Sequence, residues 1–204
     1  PMRFLREREA LLARLRGGEE QLRHVAGRFF IHRLENVGAT GYRRSWSDNI
    51  LWHHFCHFVD LGMWLLEGSP VRRVQSFMPD VHPKTGIPME GVVLVETEDD
   101  RSLLVHGSYH ASFRLYDKLI VTDRDTYLFD ILGHTLKTRE GTVAIEDEQT
   151  NCARVTHDFL TAIRSGRAPR VDGRSVLPAM RVLQAAQDDW DARHGPRSVP
   201  GRPT

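Results

Sequence analysis

Two cysteines in 204 residues, Cys56 and Cys152, are too few and too far apart for a disulfide framework, so reduced thiols are the default. Charge of one sign is missing as well. The 28 Lys and Arg stand against 27 Asp and Glu, and a net charge of +1 gives no general attraction to nucleic acid or to an anionic membrane. No apolar run approaches the roughly 18 residues of a membrane span, and the first residues lack the basic-then-apolar order of a secretion signal. The expectation is a cytoplasmic protein. The sequence also has no Gly-x-Gly-x-x-Gly between a strand and a helix, and no Gly-Lys-Ser/Thr loop. The strand–helix–strand alternation of a dinucleotide-binding half is absent too, so the chain is expected to hold no NAD(P) and no other cofactor of its own.

What is present is an ordinary globular mixture, 40% hydrophobic and 27% charged, long enough for one sizeable core. Leu5, Leu11, Leu12 and Leu15 fall at helical spacing, so residues 4–16 read as an amphipathic helix ended by Gly17 and Gly18. Residues 22–34 read as a strand and 36–49 as a loop rich in Gly, Ser, Arg and Asn. Asp48 or Asn49 caps a helix that reaches Leu66. The middle is strand-like over 71–77, 91–98, 102–112, 113–122 and 126–132, with another edge strand over 142–146. Two helices close the chain. One, over 150–165, gathers Val155, Phe159, Leu160 and Ile163 on one face, and the other runs over 176–193.

This order predicts an α+β fold: a single domain over residues 1–194 with an open, mainly antiparallel sheet and helices packed on one face. Residues 195–204 read as a disordered tail. Several strands carry apolar residues on both faces, Leu103, Leu104 and Val105 among them. The face without helices therefore predicts a homodimer.

Residues 52–60 read Trp-His-His-Phe-Cys-His-Phe-Val-Asp. On a helix, His53, His57 and Asp60 share one face at i, i+4 and i+7, while His54 turns about 100° away. A carboxylate beside an imidazole orients it and raises its pKa, which suits acid/base chemistry. A His57–Asp60 pair inside the core is the alternative. A zinc ion shared by His53, His57 and Asp60 is a further one, but the Glu of a His-Glu-x-x-His helix is absent and no metal is expected. Asn36, Arg43, Arg44 and Trp46 in the preceding loop, together with His54, are candidates for holding substrate. Two guanidinium groups next to free helix-terminal N–H groups suit a carboxylate. Over 104–112, alternation places His106, Ser108, His110 and Ser112 on one face, either lining a cavity or facing solvent.

The run SDNILWHHFCHFVDLGMWLLEG resembles the His-x-x-Asp helix of the Gfo/Idh/MocA oxidoreductases, and HDFLTAIRSGRAPRVDGRSVLPAMRVLQAAQ resembles the C-terminal helices of that family. RSWSDNILWHHFCHFVDL is most similar to the branch that contains 4-carboxy-2-hydroxymuconate-6-semialdehyde dehydrogenase. The resemblance runs from about Phe4 to Arg193. It implies that His57 is the catalytic histidine and Asp60 its aspartate, with His53 at a position that is usually acidic. The family's Gly-rich loop and Glu-Lys-Pro motif belong to an N-terminal nucleotide-binding domain and have no counterpart here. The chain starts about where the C-terminal domain of a full-length relative starts.

Three functions follow. The first is a stand-alone enzyme that isomerises, cyclises, dehydrates or hydrolyses a small carboxylated or polyoxygenated substrate, with His57 as acid/base and no nicotinamide. The alternative is the substrate-binding half of an NAD(P)-dependent dehydrogenase. The last is a non-catalytic partner subunit. For the residues as they stand the first is favoured, since hydride transfer needs a cofactor site.

Overall fold

The structure is a computed structural model that describes residues 1–37, 41–42 and 49–195, apart from the side chains of residues 148 and 149. A 3-10 turn (Met2–Phe4) leads into α1 (Arg6–Arg16) and β1 (Leu22–His32). A π-helical turn (Leu51–Phe55) then runs into α2 (Cys56–Leu65). Seven strands follow: β2 (Val71–Phe77), β3 (Glu90–Thr97), β4 (Ser102–Ser108), β5 (His110–Thr122), β6 (Thr126–Asp130), β7 (Thr135–Thr138) and β8 (Gly141–Ala144). The helices α3 (Glu148–Ser165) and α4 (Leu177–His194) complete the fold.

The strands form one open sheet in the order β2-β3-β4-β1-β5-β6-β7-β8. Only β1 and β4 run parallel, and every other neighbouring pair is antiparallel. The class is α+β, as the sequence implies. The parallel pair is possible because the long crossover between β1 and β4 carries α2 and the β2–β3 hairpin.

Alternation fixes which face each strand residue takes. Val25, Phe29, Val93, Val95, Leu103, Val105 and Ile120 are buried under the helices. Their neighbours Ala26, Arg28, Phe30, Leu94, Leu104 and Leu119 are half-buried on the opposite face. There the guanidinium of Arg28 donates to both carboxylate oxygens of Asp117 at 2.8 and 2.6 Å, across the register pair that joins β1 to β5. Sequence alternation thus marks the outer face correctly as partly apolar.

The helix α2 is hydrophobic nearly all round, with Phe58, Val59, Leu61 and Leu65 buried, so it lies flat on the sheet. Small residues let it come close. A Cβ on Gly27 would lie 2.3 Å from the ring of Phe58, and one on Gly62 of the helix would lie 2.5 Å from the side chain of Leu103. The start of the helix is fixed by Asn49, whose Oδ1 accepts from the N–H of Leu51 at 3.0 Å and of Trp52 at 3.3 Å. The Nδ2 of Asn49 and the indole N–H of Trp52 both donate to Gln187 of α4, at 3.0 and 3.1 Å. The head of the α2 segment is thereby tied to α4.

The elements differ in places from the sequence reading. The strand expected over 102–112 breaks at Tyr109, whose N–H is drawn to Met89 and whose carbonyl accepts from Arg33, both at 2.8 Å. The short β7 carries too few residues to show alternation. The apolar stripe of α3 faces outward, with Phe159, Leu160 and Ile163 54%, 47% and 63% exposed. Residues 196–204 of the expected tail lie outside the described residues. Among the described residues no helix is long and apolar enough to cross a membrane.

Candidate active site

The π-helical turn changes the geometry of the histidine segment. Hydrogen bonds in such a turn skip one more residue than in an α-helix, so each residue turns through a smaller angle and neighbouring side chains converge. His54, expected to diverge from His53, instead stacks on it. The ring centroids are 4.3 Å apart and the planes differ by 6°. Phe29 of β1 stacks on the other face of His54 at 4.2 Å and 18°. The hydroxyl of Tyr109 lies 2.6 Å from Nδ1 of His54.

Burial pushes the pKa of His54 down to about 3, helped by the nearby charges of His53, Arg33 and His57. Tyr109 is fully buried, and that burial pushes its phenol well above the usual range. Both groups are therefore neutral across the physiological range.

His57 is exposed on the first turn of α2, near enough to His54 for its charge to be felt. Asp60, its expected partner, is engaged by Arg3. Both carboxylate oxygens of Asp60 take the guanidinium of Arg3, with Nε donating to Oδ2 at 2.9 Å and Nη2 to Oδ1. A further donor bond from Arg3 to the carbonyl of Ser175, at 3.1 Å, ties the chain start to the α3–α4 connection. Asp60 thus anchors α2 to the start of the chain.

Arg33, just past the end of β1, is the cation that belongs to this cluster. Its Nη2 donates at 2.8 Å to Oδ1 of Asn36, which is buried. Beside it a depression of about 510 Å3 is lined by His32, Arg33, Leu34, Glu35, Val37 and Lys84 among others. Asn36 therefore supports an arginine. The arginine candidates named from sequence, Arg43 and Arg44, and Trp46 with them, lie outside the described residues.

His106 and His110 both lie away from the histidine cluster, and Ser108 and His110 share one partner, Oε1 of Glu90. His106 lies on the outer face of the sheet, where it meets Phe30 edge-on at 5.4 Å, with Arg28 and Asp117 close enough to influence it. His110, beyond the break at Tyr109, sits with Nδ1 2.5 Å from Oε1 of Glu90 and its ring 5.3 Å from that of His82. Neither lines the histidine cluster, because Tyr109 between them takes the helix-facing place. Among the described residues no group of three His, Cys, Asp or Glu side chains is gathered as a metal requires.

The sequence reading missed Arg3, Arg33 and Tyr109. Tyr109 had a signal, since alternation after Leu103, Val105 and Gly107 places it on the helix-facing side. Arg3 had none, for it meets a partner 57 residues away.

The arrangement offers one exposed imidazole, one half-buried imidazole of fixed plane, and a guanidinium close by. It is suited to moving a proton to or from an oxygen on a small anionic substrate.

Comparison with known proteins agrees with this picture. A family model described as bacterial oxidoreductases, C-terminal, matches residues 8–131, well over half of the chain. The 4-carboxy-2-hydroxymuconate-6-semialdehyde dehydrogenase of Sphingobium sp. is 28% identical over 174 residues, covering 81% of this chain and 53% of the relative. Among solved structures, the UDP-N-acetylglucosamine 3-dehydrogenase GnnA from Acidithiobacillus ferrooxidans superposes with a TM-score of 0.70 at 16% identity, over 88% of this chain and 57% of that one. An oxidoreductase from Agrobacterium radiobacter, in complex with NAD+, L-tartaric acid and magnesium, gives 0.70 at 15% identity over 92% and 60%. The WlbA dehydrogenase from Bordetella pertussis, in complex with NADH and UDP-GlcNAcA, gives 0.68 at 17% identity over 97% and 60%. The structural likenesses establish the fold. In each case the chain spans only half to three fifths of the relative's length.

Proposed function

Because the chain belongs to the family of bacterial oxidoreductase C-terminal domains, we propose that it is the substrate-binding and proton-transfer half of an NAD(P)-dependent dehydrogenase. This reading now stands ahead of a stand-alone isomerase, cyclase, dehydratase or hydrolase. The observation that carries it is the histidine cluster at the head of α2, in a fold whose relatives are longer dehydrogenases and oxidoreductases.

His57 is the proton-transfer residue: it is exposed and stands on the first turn of a rigid helix. His53 lies beside it on a fixed plane, and Arg33 holds an anionic group of the substrate. A small carboxylated or polyoxygenated acid fits these donors. The described residues contain no Gly-rich strand-to-helix turn, so the nicotinamide would be held by a nucleotide-binding domain outside them. When bound, it would supply the hydride acceptor or donor. The residues of this chain bind the acid, orient its hydroxyl or carbonyl oxygen toward His57, and take or return the proton there. One positioned acid/base contributes roughly 10²–10⁴ in rate.

Two surfaces support additional partners. The exposed apolar face of α3 fits burial against that further domain, since an amphipathic helix gains most of its stability from covering such a face. The outer sheet face, with half-buried Leu94, Leu104 and Leu119 around the Arg28–Asp117 pair, fits a homodimer.

The test is a ligand titration of the chain followed by NMR. L-Tartrate is expected to move the side-chain signals of His53, His57 and Arg33, and NADH is expected to move none. Saturable NADH binding by the chain alone, or tartrate shifts confined to other residues, would contradict the assignment.

A further inference from the structure

We infer that Tyr109 and His54 are positioning residues whose joint task is to present the ring of His53 to the substrate in one fixed plane. The inference rests on the reading of the histidine cluster as the site of proton transfer.

The rings of Phe29, His54 and His53 form a continuous stack that rises from the core to the half-buried surface. The spacings are 4.2 and 4.3 Å, and the interplanar angles 18° and 6°. Phe29 is itself fixed, edge-on to Phe58 at 6.2 Å and to Tyr116 at 5.5 Å. His54 cannot tilt without breaking both stacks.

A stack alone leaves one freedom, a half-turn of the imidazole within its own plane. Tyr109 removes it. The residue sits at the break between β4 and β5 and is held at both backbone groups, N–H to Met89 and carbonyl from Arg33, at 2.8 Å each. Its hydroxyl is thereby aimed at Nδ1 of His54 at 2.6 Å. Between a neutral imidazole and a protonated phenol either group can donate, and the arrangement inferred is the one in which the O–H donates, Nδ1 accepts and the imidazole proton sits on Nε2. A flipped ring would set a C–H against the hydroxyl and lose this buried hydrogen bond, which is unfavourable.

The strand break at Tyr109 and the π-helical turn are both departures from regular structure, and both meet at this bond. Irregularities of this kind often accompany functional sites, because they re-aim side chains. The consequence is preorganisation: the plane of His53 is set before substrate arrives.

The test needs neither substrate nor nicotinamide. Long-range proton–nitrogen NMR spectra of the whole chain near neutral pH report the tautomer of each histidine, and ring-current shifts report the stack. The native chain is expected to show His54 as a single neutral tautomer protonated on Nε2, with His53 displaced by its stacked neighbour. In Tyr109→Phe the His54 tautomers mix and the His53 signals move toward averaged positions. His54→Phe, which keeps a ring in the stack, retains the His53 displacement, and His54→Ala loses it.

A native His54 protonated on Nδ1, or His53 signals that coincide in the native chain and Tyr109→Phe, would overturn the inference. If Tyr109→Phe fails to fold, the His54→Phe and His54→Ala pair decides it, and equal His53 signals in those two overturn it. Failure here leaves the dehydrogenase reading standing, and failure of the NADH and tartrate titration leaves the ring stack standing.

Discussion

Replacing His54 by Phe is expected to remove a large part of the chain's sensitivity to mild acid. In the folded chain the imidazole accepts a proton only near pH 3, whereas the ordinary value is 6.5. A folded pKa below the unfolded one means that protons favour the unfolded chain. The contribution of a neutral His54 is therefore fully present above pH 6.5 and is lost as pH falls from there toward 3. Each unit within that window is worth about 1.4 kcal/mol, so lowering the pH from about 7.5 to about 5.0 costs about 2 kcal/mol through this residue alone. His24 and His106, also depressed by burial, act in the same direction but equally in both proteins, and so cancel in the comparison. Urea unfolding of the native chain and His54→Phe at the two pH values gives the double difference directly. The native chain should lose about 2 kcal/mol more than the variant. Equal losses, within about 0.5 kcal/mol, would show that His54 titrates normally and that its packing against Phe29 and Tyr109 is wrong.

Other perturbations follow from the same geometry. Gly107→Ala drives a methyl into the backbone oxygen of Phe29 and should cost at least about 1–3 kcal/mol in urea unfolding, whereas the same change at Gly173, with nothing near it, should cost little. Arg3→Met leaves Asp60 without its guanidinium and should destabilise by about 1–3 kcal/mol, and adding Asp60→Asn should restore part of the loss. Equal stability of Arg3→Met and the native chain would remove Asp60 from its anchoring role. Leu104→Glu, on the outer sheet face, should turn a dimer into a monomer of 23.4 kDa in sedimentation, while a native chain already monomeric at high concentration would refute the dimer.

The parts of the fold that depend on local periodicity were legible in the sequence. The strand residues Leu103 and Val105 alternate with Leu104 and His106, and that alternation alone separates the buried from the outer face. Asn49 before an apolar run announces the helix start that the structure shows. The candidate site was legible as a set of residue types, but its geometry was not. A π-helical turn is a matter of which carbonyl each N–H reaches, and the run Leu51–Phe55 has no compositional mark of it. Helical spacing therefore put His54 on the wrong side. The partner of Asp60 is set by tertiary folding, since Arg3 comes from the other end of the connection. The periodicity of α3 correctly gave an apolar stripe, but a stripe does not say whether the same chain covers it. Arg33 carries no sequence mark of its own, being a single arginine at a strand end whose neighbours are set by tertiary folding.

The central claim is that His57 transfers the proton while a nucleotide-binding domain outside the described residues handles the hydride. It is tested most directly by joining this chain to the portion of the Sphingobium dehydrogenase that it does not match, and following nicotinamide absorbance with a panel of small hydroxy and aldehyde acids. The account predicts nicotinamide-dependent turnover that falls by roughly 10²–10⁴ in His57→Ala. Turnover of the same acids by this chain without nicotinamide, or a His57→Ala rate within about threefold of the unsubstituted protein, would contradict it.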